Sequence, residues 1–201
     1  MKIAIIGAPG AGKSELGWTL QDALDGGGDP DKWICLDEYA EEACDEIDYA
    51  PGTAGGYIAN LAVALSRIGM ERTSSFENTI TCGTLLETSV YSAMDFEITS
   101  KYQGEDEILN NTRRVEAVLK TLACLYADSF DYDLVFYLPA RSEEWAEFDK
   151  NLQTAFAAFF LVETVPLLED TMEENAEIAL KIIKKEMTVD EYINRDAPAT
   201  T

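Results

Sequence analysis

The chain has 201 residues, 47% of them hydrophobic, and 38 acidic against 15 basic side chains give a net charge of -23. This length and apolar content suit one domain with a full core and exclude a disordered polyanion. The charge argues against nucleic acid and anionic lipid as partners. The apolar run Ala155 to Leu168 is interrupted by Glu163 and Pro166, so no membrane span is expected. Cys35, Cys44, Cys82 and Cys124 are scattered, with no CxxC pair and no histidine, which excludes a typical zinc site and fits a reduced, cytoplasmic setting. The acidity itself reads as a solubility device, or else as a face for a basic partner.

In chain order, Lys2 to Ile6 is an apolar run that reads as a buried parallel strand; it enters a glycine loop directly, without a leader pattern. Leu16, Leu20, Ala23 and Leu24 then share a helical face, closed by the turn Asp25 to Asp31. Trp33 to Leu36 is a second strand, and Ala50 to Gly56 a loop. The next helix is expected to bury Ile58, Leu61, Ala62, Leu65 and Ile68 and to stop at Gly69. Thr79 to Cys82 is a third strand, turning at Gly83 into a helix carrying Leu86, Val90, Tyr91 and Met94. Glu105 to Asp128 is a long helix with Val115, Val118, Leu119, Leu122 and Tyr126 inward. Asp133 to Leu138 is a fourth strand, and the charged segment Arg141 to Lys150 leads to a helix lined by Trp145, Phe148, Leu152, Phe156 and Phe159. Leu161 to Val165 is a fifth strand stopped by Pro166. The last helix opens with a capping box, Thr171 and Glu174, and buries Ala176, Ala179, Ile182 and Ile183. Strands alternating with helices imply an α/β fold, a parallel sheet covered on both faces, with ligands at the strands' carboxyl ends.

Gly7-Ala8-Pro9-Gly10-Ala11-Gly12-Lys13-Ser14 fits the phosphate-loop pattern G-x-x-x-x-G-K-S/T, with a strand before it and a helix after it. Glycines let successive N–H groups converge on phosphate oxygens, and the helix beginning near Lys13 adds its positive end. Lys13 is expected to reach the β- and γ-phosphates and Ser14 to hold Mg²⁺, with Gly7 to Glu15 as the nucleotide-binding segment for ATP or GTP.

The phosphate loop, an acidic residue after strand two and a turn into a helix after strand three together resemble the P-loop nucleoside and nucleotide kinases. Asp37-Glu38-Tyr39-Ala40-Glu41-Glu42 resembles the Glu-Tyr-Ala-Arg stretch of nicotinamide-riboside-kinase-like ATPases, with Glu41 in the arginine's place. Cys82-Gly83 stands where many of these kinases carry an Asp-Arg pair. The chain is also similar to small P-loop ATPases of bacteriophages. The resemblance implies a three-layer P-loop fold of strand order 2-3-1-4-5 over residues 1–186, a lid-like segment at 139–150 and a tail at 187–201.

Phosphoryl transfer needs an acceptor-orienting carboxylate, a metal ligand and a cation over the γ-phosphate. Asp37 and Glu38 are the candidate carboxylates, or acids capping a helix. Glu87 reads as a metal ligand through water or an acceptor contact, or as an exposed helix charge; Thr84 is an acceptor candidate at the turn. Arg141 is the candidate cation, or a surface partner of Glu143 or Glu144, with Arg113 and Arg114 in reserve. Tyr39, Tyr57 and Tyr91 can stack on a base or pack in the core. The expected activity is transfer of the γ-phosphate of ATP to a small nucleoside-like acceptor, with a homodimer left open. The alternatives are a regulatory P-loop switch acting through a protein partner, and a kinase of a modified base in phage DNA.

Overall fold

Alternation along β1 (Lys2–Gly7) sets the plan of the molecule: Ile3 and Ile5 enter one core cluster, Ala4 and Ile6 another, on opposite faces of the sheet. The protein is described by a computed structural model covering residues 1–26, 33–37, 57–73, 78–101, 106–127, 132–159 and 164–195. β2 (Ile34–Leu36), β3 (Thr79–Cys82), β4 (Leu134–Leu138) and β5 (Thr164–Pro166) complete a five-stranded sheet of order β2-β3-β1-β4-β5. All four strand pairings are parallel. The fold class and strand order are those expected.

One face carries α1 (Lys13–Asp25) and α6 (Met172–Ile183), whose Leu16, Leu20, Ala176 and Ala179 join Ile3, Ile5, Ile80 and Phe136. The other carries α2 (Tyr57–Thr73), α3 (Leu85–Lys101), α4 (Asp106–Ala127) and α5 (Ala146–Phe159), which meet around Ala64, Leu86, Leu119, Phe148 and Leu152. No helix among the described residues is long and apolar enough to cross a membrane.

Several boundaries and faces differ from expectation. α2 runs through Gly69 to Thr73, since nothing there breaks the helix. Its Ile58 and Leu65 are exposed, while Ala59, Asn60, Val63, Ala64 and Arg67 are buried. The face is turned because the strand beside it is polar on this side: Ile80 and Cys82 of β3 belong to the other core cluster, and Thr79 and Thr81 are buried without belonging to it. On α4, Val118 is exposed and the buried positions are Thr112, Leu119 and Ala123, set by close packing on α3. β5 includes Pro166, paired with Tyr137; an edge strand tolerates the missing N–H. Within the expected lid, Glu143–Trp145 is a 3-10 turn and Ala146 begins α5, whose Phe148 is fully buried against Tyr91 at 4.3 Å between ring centroids.

The capping box at Thr171 and Glu174 forms as expected. A second one, Thr188 with Glu191, starts α7 (Val189–Ile193) inside the expected tail. Tyr192 of α7 is buried; its hydroxyl accepts from Leu168 N–H at 3.2 Å and donates to Glu169 at 3.3 Å. Apolar burial and these bonds bind residues 187–195 to the domain. The remaining tail residues 196–201, the loop at 50–56 and the start of the expected fifth strand at 161–163 lie outside the described residues.

Candidate functional site

The phosphate loop leaves the carboxyl end of β1 and enters α1 at Lys13. Gly10 (φ 69°) and Gly12 (φ 95°) take the left-handed conformation that side chains resist. At Gly12 space is also closed: a Cβ there would lie 2.3 Å from Met172 Cε. Gly7, Ala8 and Ala11 are buried under the loop, Pro9, Gly12 and Ser14 half-buried, and Gly10 and Glu15 lie exposed at its rim.

Lys13 is buried, with Nζ donating to the carbonyls of Gly7 at 2.8 Å and Ala8 at 3.2 Å. Its ammonium is also 3.5 Å from Glu87 Oε1. Glu87 is the main surprise. It is no exposed helix charge but a side chain with 0% exposure. Oε1 accepts from Gly7 N–H at 3.2 Å, and Oε2 accepts from Thr84 N–H and stands 3.7 Å from Arg67 Nη1. The carboxylate thus ties the first loop residue to the turn after β3. Thr84, also buried, caps α3: its hydroxyl accepts from Glu87 N–H at 3.4 Å, and its carbonyl accepts from Arg67 Nη1.

Arg67 escaped the sequence reading. Its guanidinium lies on Gly83 (φ 77°), where a Cβ would stand 2.4 Å from Nη2. The side chain that Gly83 lacks is therefore what lets an arginine from α2 reach the end of β3. One turn further along α2, burial pushes the Glu71 carboxyl up to about 7, against a hydrogen bond from Tyr132 and the charges of Arg67 and Lys2. Burial and Glu71 in turn hold the Tyr132 phenol well above its ordinary range.

Arg141 is exposed on the loop after β4, and its Nη2 lies 4.0 Å from where a Gly12 Cβ would be, so its guanidinium reaches the phosphate loop. Asp37, at the end of β2, accepts from Trp18 Nε1 at 3.1 Å beside α1. Tyr91 packs between Trp145 and Phe148, while Tyr57 is half-buried and Arg113 and Arg114 are exposed. Glu38, Tyr39 and Glu41 lie outside the described residues. For Mg²⁺, the Ser14 hydroxyl at the first turn of α1 fits a ligand role. Glu87 does not fit as arranged, since a divalent cation at its oxygens would sit beside Lys13 and Arg67. A cavity of about 220 Å³ between α3, α4 and α5, lined by Leu86, Ser89, Met94, Lys120 and Asn151 among others, holds none of the expected site residues.

A parallel sheet of this order, with a glycine loop opening onto α1 at its carboxyl edge, defines the P-loop kinase-like fold. Solved structures bear this out. A NadR protein in complex with NR superposes with a TM-score of 0.62 at 15% identity over 92% of this chain, which spans 50% of that one. Deoxyadenosine kinase from M. mycoides, bound to dCMP and dCDP, gives 0.59 at 19% over 92% of this chain and 100% of its own. Thymidylate kinase from Ehrlichia chaffeensis gives 0.53 at 14% over 91% and 98%. At such identities the likeness establishes the fold. No family model and no curated protein matches the chain.

Proposed function

We propose that the protein is an ATP-dependent phosphotransferase that moves the γ-phosphate to a small acceptor of the nucleoside or nucleotide class. The observation that carries this is the convergence of charge on one loop: Lys13 bonds the carbonyls of Gly7 and Ala8, and Arg141 reaches Gly12 from the loop after β4. Around the loop three cations, Lys13, Arg67 and Arg141, stand against two carboxylates, Glu87 and Glu15, and in a chain of net charge -23 that local balance suits a polyphosphate. Loop N–H groups and the start of α1 would hold the phosphates, Lys13 would turn to the β- and γ-oxygens, and Arg141 would close over them. Bound magnesium would supply charge neutralisation across the β- and γ-phosphates, with Ser14 as its ligand. The nucleoside-class acceptor is supported by the NR, dCMP and dCDP held by proteins of like fold. Asp37 at the end of β2, with Glu38 next to it in sequence, remains our candidate for orienting the acceptor hydroxyl.

ADP release measured across a panel of nucleosides and nucleotides tests this. One acceptor should raise the rate well above basal hydrolysis, and Lys13→Ala should abolish the rise. A rate indifferent to every acceptor would favour the second reading, a nucleotide-dependent switch, which one observation supports: Cys82 and Gly83, not an Asp-Arg pair, close β3.

A further inference from the structure

Among the described residues, the two oxygens of Glu87 are served alike, by a backbone N–H and a cation on each side. Oε1 has Gly7 and Lys13, and Oε2 has Thr84 and Arg67. The two cations differ in mobility. Arg67 is clamped by Gly83 beneath it and the Thr84 carbonyl beside it. Lys13 is on a long flexible stem, bonded to two neutral carbonyls besides the carboxylate. Engaging a triphosphate takes the Lys13 ammonium away from Glu87, and a fully buried carboxylate left without a cation is strongly destabilised.

We propose that Arg67 is a positioning residue for nucleotide binding: by compensating Glu87 from the Oε2 side, it frees Lys13 to move from Gly7, Ala8 and Glu87 onto a phosphate. Glu87 then keeps its hold on Gly7 N–H, and the first residue of the loop stays in place while the lysine exchanges partners. This rests on the loop being a nucleotide site, and is independent of which acceptor is used.

The test is the affinity of the full chain for a fluorescent ATP analogue with Mg²⁺, with melting curves recorded alongside. Arg67→Met should weaken binding by about tenfold or more, and Arg67→Lys, which keeps the charge, by clearly less. Arg67→Met combined with Glu87→Gln should bind within about threefold of Glu87→Gln alone, because an amide needs no cation. Packing lost with the arginine would not be restored by a change at Glu87. Native-like binding by Arg67→Met, or a double variant no better than Arg67→Met, overturns the proposal. Where Arg67→Met does not fold, a double variant that folds and binds within about threefold of Glu87→Gln supports the proposal, and one that binds about tenfold or more weaker than Glu87→Gln overturns it. A native chain that binds no analogue removes this inference and the nucleotide site together, whereas binding without transfer to any acceptor touches only the proposed activity.

Discussion

The two halves of the candidate site are built by opposite means. On the β1 side, the continuous run Gly7 to Ser14 contributes its backbone, two left-handed glycines and a helix start. On the β3 side, side chains from three helices meet: Lys13 of α1 and Arg67 of α2 converge on the buried carboxylate of Glu87 on α3. A backbone site is written contiguously. A side-chain site is distributed, and each member depends on the others' charge.

That contrast is open to attack at Glu87, where the halves meet. Glu87→Ala removes the acceptor of Gly7 N–H and leaves two buried cations without their carboxylate. We expect a loss of about 3–5 kcal/mol in chemical denaturation; a loss below about 1 kcal/mol would show the phosphate loop to be autonomous of the β3 side. Gly83→Ala strikes the β3 side alone, forcing a Cβ into Arg67 at a positive φ. A cost of about 2–4 kcal/mol is expected, with analogue affinity falling as it does for the Arg67 variants.

The smallest effect concerns charge balance around Arg67. The folded Glu71 carboxyl, pushed up to about 7 by burial, keeps its proton where the unfolded chain, near the ordinary carboxyl value of 4.5, has lost it. Stability contributed by this group is therefore complete below about 4.5 and declines as pH rises to about 7. Glu71→Gln should flatten that decline, with a relative gain of about 1–2 kcal/mol at pH 8, read from melting temperatures at pH 5 and pH 8. Parallel pH profiles for native and variant chains would show that burial does not govern this group.

The same contrast explains what the sequence discloses. The loop is legible because its chemistry is local: glycines, lysine and serine at fixed spacing after an apolar strand. The helix capping at Thr171 is legible for the same reason, two side chains three residues apart closing on each other's N–H groups. Arg67 is hidden because hydrophobic periodicity selects Ile58 and Leu65, which face outward, whereas the inward face carries Asn60 and Arg67. What turns α2 is the polar face of β3 and the bare Gly83, which the periodicity within the helix does not register. Glu87 is visible as a carboxylate one turn into a helix, but its burial depends on Lys13 and Arg67 arriving from elsewhere.

A last consequence lies beneath α1, where Cys35 and Cys82 of neighbouring strands bring their sulfurs within 3.5 Å and Cys82 donates to the Lys13 carbonyl at 3.4 Å. Gly17 rests on both, with a Cβ there only 2.4 Å from one sulfur and 2.7 Å from the other. Neither thiol can meet an alkylating reagent while that seam is shut. The rate at which they are labelled is thus a clock for the lifting of the helix that carries Lys13, and a bound ligand that clamps this helix will slow the clock.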